Sequence, residues 1–133
     1  MIRIGYYNKL RVNRFTDFGA YLVDEEENEV LLPKRYLADE VVGDELDVFV
    51  YIDSENRPVA TTETPVATVG QFALMKVKAV NKIGAFLDWG LRFKDLLVPF
   101  REQKVKMSSG RSYVVYVYLD NNSNRIVASA KLD

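Results

Sequence analysis

The sequence predicts an all-β protein built as two tandem five-stranded barrels. Three observations carry this: short stretches in which apolar and polar residues alternate, an internal repeat of about 65 residues, and turn-forming clusters between the stretches. A chain of 133 residues with 48% hydrophobic content is long enough for two small cores and too apolar to stay disordered.

The repeat is ordered along the chain. Leu10-Arg11-Val12 through Phe18-Gly19-Ala20-Tyr21-Leu22 matches Met75-Lys76-Val77 through Ile83-Gly84-Ala85-Phe86-Leu87. Leu31-Leu32-Pro33 with Arg35 matches Leu97-Val98-Pro99 with Arg101. Gly43 before Val48-Phe49-Val50-Tyr51-Ile52-Asp53 matches Gly110 before Val115-Tyr116-Val117-Tyr118-Leu119-Asp120, and Arg57-Pro58-Val59-Ala60-Thr61 matches Arg125-Ile126-Val127-Ala128-Ser129. A period this long fits two small domains rather than a solenoid. The domains are expected over residues 1–63 and 67–133, with Thr61 to Gly70 as the joint.

Taken in order, each copy reads as strands. In the first strand of the second copy, Met75, Val77 and Ala79 should face the core, with Lys76, Lys78 and Val80 on the opposite face. The second strand begins at Gly19 or Gly84, where glycine within a strand pattern marks a bulge or sharp coil. A third strand holds Leu31-Leu32 or Leu97-Val98. The segments 34–42 and 100–109 read as irregular or briefly helical. In the fourth strand Val48, Val50 and Ile52 oppose Phe49 and Tyr51, as Val115, Val117 and Leu119 oppose Tyr116 and Tyr118. Turn chemistry at Asp53-Ser54-Glu55-Asn56 and Asp120-Asn121-Asn122-Ser123-Asn124 leads to a fifth strand. Five short strands in about 60 residues make a closed barrel, for which the OB-fold is the common solution.

Composition narrows the function. With no Cys and no His, disulfides, thiolate zinc sites, cysteine nucleophiles and the usual general base are excluded. No Gly-rich phosphate loop, nucleophile–base pair or metal spacing accompanies Asp88 and Asp95, so catalysis and cofactors are not expected. The start Met1-Ile2-Arg3-Ile4-Gly5 has no signal-peptide character, and the longest apolar run, Val114 to Leu119, is far below a membrane span. A cytoplasmic protein without membrane contact is expected. Residues 1–66 carry seven Lys and Arg against fourteen Asp and Glu, net −7; residues 67–133 carry eleven against five, net +6. The basic half has the footprint of a polyanion binder; the alternative is that the two halves simply attract one another. The acidic run Asp24-Glu25-Glu26-Glu27-Asn28-Glu29 reads as a solvated loop that would repel a phosphate chain.

The blocks Phe18-Gly19-Ala20-Tyr21-Leu22, Gly43-Asp44 with Val48-x-Val50 and Asp53, and Arg57-Pro58-Val59-Ala60-Thr61, each with its second-copy counterpart, resemble the S1-type RNA-binding OB domain. With Leu31-Leu32-Pro33-Lys34-Arg35, Gly84-Ala85-Phe86-Leu87-Asp88-Trp89-Gly90 and Lys94-Asp95-Leu96-Leu97-Val98-Pro99-Phe100, the chain resembles the first two domains of the bacterial conserved virulence factor B family. That resemblance implies RNA binding in gene-expression or virulence regulation. It also implies further S1-like and winged-helix domains if the chain is a fragment. By it, stacking aromatics fall on Phe18 and Tyr21, and on Ile83 and Phe86. The fifth-strand arginines fall on Arg57 and Arg125, and the fourth-strand aspartates on Asp53 and Asp120. Pro33 and Pro99 stand where the family often has His.

Single-stranded nucleic acid needs a cationic groove and flat side chains. The candidate binding residues are Lys76, Lys78, Lys82, Phe86, Trp89, Lys94, Phe100, Arg101 and Arg125 in the second copy, and Phe18, Tyr21 and Arg57 in the first. Phe86 is either a core ring or a stacking ring, since a bulge at Gly84 turns it either way. Trp89 is either a stacking ring or packing beneath its loop. The outward rings of the fourth strands either form a platform or cover a contact between barrels. The expected partner is single-stranded RNA. Single-stranded DNA is the alternative ligand, and a protein-interaction module is the alternative function.

Overall fold

The computed structural model describes residues 1–132. Two compact units are resolved, one over Met1–Thr64 and one beginning at Pro65. The first contains β1 (Tyr7–Thr16), β2 (Gly19–Val23), β3 (Glu29–Pro33), β4 (Glu45–Ile52) and β5 (Pro58–Thr61). The second contains β6 (Phe72–Val80), β7 (Gly84–Asp88), β8 (Leu96–Pro99), β9 (Ser112–Leu119) and β10 (Ile126–Ser129). Each closes as a barrel in the order β1-β2-β3-β5-β4, repeated as β10-β8-β7-β6-β9, and the pairings are antiparallel except β3–β5 and β8–β10. This is the order of the OB barrel. A single 3-10 turn follows β3 (Lys34–Tyr36) and another follows β8 (Phe100–Glu102).

The two interiors correspond position by position. Leu10, Val12, Ala20, Leu22, Val30, Leu32, Val48, Val50 and Ala60 form the core of the first barrel. At the same register the second barrel buries Met75, Val77, Ala85, Leu87, Leu96, Val98, Val115, Val117 and Ala128. Period-two alternation sets which residues enter, and barrel closure removes the sheet edges that would otherwise need covering.

The bulge lies in the partner strand, not at the glycine. Register between β6 and β7 shifts between Val77 and Ala79, as it does between Val12 and Arg14 in the first barrel. Alternation therefore breaks: Ala79 is exposed and Val80 turns half inward, the reverse of the expected pattern. Gly19 and Gly84 answer a different demand. A Cβ there would lie 2.1 Å from the Leu32 carbonyl oxygen and 2.3 Å from that of Val98, with φ at +147° and +154°. Only glycine lets the two backbones approach so closely.

The β4–β5 and β9–β10 turns use one device twice. The Asp53 carboxylate accepts the amides of Glu55 and Arg57, each at 2.9 Å, and Asn56 takes φ +64°. Asn124 repeats this with φ +61°, a conformation asparagine tolerates better than most residues. The acidic run is more than a solvated loop. Asp24 is buried and accepts the amides of Glu26 and Asn28 and the Asn28 side chain.

Candidate nucleic-acid interface

Four cross-strand partners form a row on the outside of each barrel. In the second, Ala79 pairs with Phe86, Phe86 with Leu97, and Leu97 with Val127. In the first, the same row is Arg14, Tyr21, Leu31 and Val59. Phe86 faces away from the side on which Ala85 and Leu87 are buried, so it is a half-buried outward ring and not a core ring. Lys76 and Lys78 project from the neighbouring strand on the same side, since Met75 and Val77 are buried. Lys82 and Ile83 are exposed at the β6–β7 turn. Phe93, Phe100 and Arg101 are exposed on the segments flanking β8. Arg125 leads into β10, two residues before Val127.

These cations are partly answered by carboxylates. The Lys78 ammonium donates to Asp95 at 2.9 Å, which raises its pKa above the usual lysine value. Lys76 lies opposite Asp88 in the β6–β7 register, and Arg101 is 3.9 Å from Glu102. Asp120, at the turn before Arg125, is held below the usual carboxylate range, chiefly by the Ser123 hydroxyl and then by the Asn122 amide. Exposed pairs of this kind are screened by solvent and hold their cations only weakly.

In the first barrel the cations beside the outer row are also paired. Arg14 lies over the Tyr21 ring, 4.1 Å from its centroid. Its guanidinium forks onto Glu29 through two 3.1 Å hydrogen bonds, and Asn13 donates to the same carboxylate. Arg14 therefore depresses the Glu29 pKa. Arg57 is paired with Asp53 at 3.2 Å and also with Glu55. Tyr21, Leu31, Asp53, Arg57 and Val59 line one groove, so Tyr21 and Arg57 are brought together, but the ring is roofed by a guanidinium. Phe18 stands apart at the β1–β2 turn, 73% exposed. Arg14 and Glu29 were not among the sequence candidates; the signal was available in the repeat, where Arg14 and Ala79 occupy equivalent positions.

Trp89 requires correction. Only 1% of its surface is exposed, and its indole N–H donates to the Lys94 carbonyl at 2.6 Å. Its own carbonyl accepts the Val66 amide at 2.7 Å. With Leu91 and Ala67 buried as well, the ring forms the packing beneath the β7–β8 loop and offers no face to a base. The Lys94 backbone supports that ring.

Strand order and barrel closure define a tandem OB-barrel protein. The S1 domain matches twice, over residues 4–63 and 69–131, and the chain belongs to the S1 domain family. It is 34% identical over 98 residues to the uncharacterized protein YitL of Bacillus subtilis (strain 168), a match covering 73% of this chain and 33% of that protein. A crystal structure of a multidomain protein with nucleic acid binding domains from Streptococcus pneumoniae TIGR4 superposes with TM-score 0.79 at 22% identity, over 98% of this chain and 46% of the other. The chain thus spans less than half the length of either. No helix among the described residues is long and apolar enough to cross a membrane.

Proposed function

We propose that the chain is a non-catalytic binder of single-stranded or unstructured RNA that acts through the outward face of the second barrel. Phe86 with Leu97 would take a base, and Lys76, Lys78, Lys82, Arg101 and Arg125 would follow the phosphates. The observation that carries this is the difference between the two rows: Ala79 stands where Arg14 roofs Tyr21, so no side chain in the row covers Phe86, in the half that carries net charge +6. In the first barrel the acidic surroundings and the internal ion pairs oppose a polyanion. The reading extends to regulation of gene expression in the cytoplasm, in the manner of the conserved virulence factor B family, and the S. pneumoniae neighbour described as having nucleic acid binding domains is consistent with it.

Fluorescence anisotropy with an unstructured RNA of about 12 nucleotides tests it, a length within the range one or two OB barrels cover. Five phosphate contacts predict a slope near −3.5, hence about a 130-fold loss of affinity between 50 and 200 mM salt. Lys76→Glu should flatten the slope. The DNA oligomer of the same sequence separates the two nucleic acids. Absence of binding at 50 mM salt, or tighter binding by residues 1–66 than by the second barrel, overturns the proposal.

A further inference from the structure

The outward face of β6 continues past Lys78 and Lys76 to Leu74 and Phe72. Opposite them on β9 stand Ser112 (facing Lys76), Val114 (facing Leu74) and Tyr116 (facing Phe72). Phe72, Leu74 and Val114 are 61%, 64% and 48% exposed, and the Phe72 and Tyr116 rings lie 4.8 Å apart. A shallow groove beside the rings is lined by Ser129, Lys131 and Leu132.

The first barrel supplies an internal comparison. At the same register it has Lys9 opposite Asp47 and Arg11 opposite Glu45. The second barrel has Leu74 opposite Val114 and Lys76 opposite Ser112. One cross-strand charge pair is therefore replaced by an exposed aliphatic pair, and the other loses its acid. Isolated exposed apolar residues are ordinary; a contiguous patch of four on a sheet face marks an interaction surface. Its rim carries Lys76, Arg111 and Lys131, all exposed, against one neighbouring carboxylate, Asp88 opposite Lys76 on β7; β6 and β9 themselves present none on this face.

We infer that this face docks a polypeptide partner that is apolar at its centre and carries carboxylates at its rim. The aliphatic pair argues against nucleic acid, whose protein interfaces are polar and strongly basic. The cationic rim argues against the same face of a second copy, because like charges would meet. The inference shares the rim residue Lys76 with the RNA reading, whose stacking pair lies on β7 and β8, but its apolar centre of Phe72, Leu74, Val114 and Tyr116 takes no part in that reading.

The test is a display selection of random peptides of about 12 residues against the immobilised chain. The counter-target is the double variant Leu74→Lys, Val114→Asp, which rebuilds the pair seen at Lys9 and Asp47. Recovered peptides should centre on Leu, Phe or Trp, carry flanking Asp or Glu, and bind the double variant at least about tenfold more weakly, as loss of a central anchor requires. Leu74→Ser serves as the milder variant should the double variant melt. In a parallel arm, backbone amide shifts of Leu74 and Val114 should move with peptide and stay fixed with unstructured RNA. Basic flanks, equal affinity for both variants, no recovered peptide, RNA-induced shifts at Leu74 and Val114, or a concentration-dependent dimer abolished by Leu74→Ser would each overturn the proposal.

Discussion

Phe86 and Leu87 are adjacent in sequence and face opposite sides of β7, so truncating each should produce opposite phenotypes. Phe86 is half-buried on the outer row, while Leu87 is fully buried. Base stacking on an aromatic ring is worth about 1–3 kcal/mol, so Phe86→Ala should weaken RNA binding about 5- to 140-fold. It opens no core cavity, and thermal stability should change little. Leu87→Ala removes a closed-in side chain, with an expected loss of about 2–5 kcal/mol. For a barrel of this size that lowers the melting temperature by about 8 °C or more. Anisotropy on folded protein at 15 °C and circular dichroism melts of both variants measure the two effects. A Phe86→Ala variant that melts as early as Leu87→Ala while retaining full affinity would refute the register on which the site is built.

Further outcomes follow from individual contacts. Trp89→Phe keeps most of the buried ring but loses the hydrogen bond to the Lys94 carbonyl, so stability should fall by about 1 kcal/mol with RNA affinity unchanged; a selective binding loss in that variant would restore Trp89 as a contact. Gly84→Ala places a Cβ against the Val98 carbonyl, and the second barrel should be far more destabilised than by Ala79→Gly, as urea titration would show. Asp24, Glu29 and Asp120 have lowered pKa values, so their stabilisation is complete above the unfolded carboxylate values near 4 and is lost as pH falls through the depressed ones. Stability should therefore fall on the acid side. RNA binding should stay nearly flat between pH 6 and 8, because the chain has no His. A midpoint in that window, measured by anisotropy, would contradict this.

Much of the architecture was legible because it rests on alternation and repetition. Met75 and Val77 are apolar at period two, which placed Lys76 and Lys78 outside, and the repeat assigned equivalent strands to both halves. Ala79 and Val80 were misread because a one-residue bulge inverts the faces beyond it, and nothing in their own residue types announces a bulge. Gly84 gave a signal that something unusual occurs at that level of the barrel, although the irregularity is in the facing strand. Phe86 stayed ambiguous for the same reason. Trp89 could not be placed because burial of a loop ring depends on how the loop folds back on itself, here at Lys94, and on a neighbour distant in sequence, Val66. The roof over Tyr21 depends on Arg14 and Glu29, fifteen residues apart and joined only by strand pairing.

The matched interiors of the two barrels have a consequence for how such a chain diversifies. Nine inward positions keep equivalent roles in both halves, whereas the outer rows carry different chemistry. Exterior residues on one half can therefore drift toward a new ligand while its twin retains the older surface. Neither change touches the buried residues of either barrel. Duplication thus makes this molecule its own reference state, with one half preserving what the other is free to abandon.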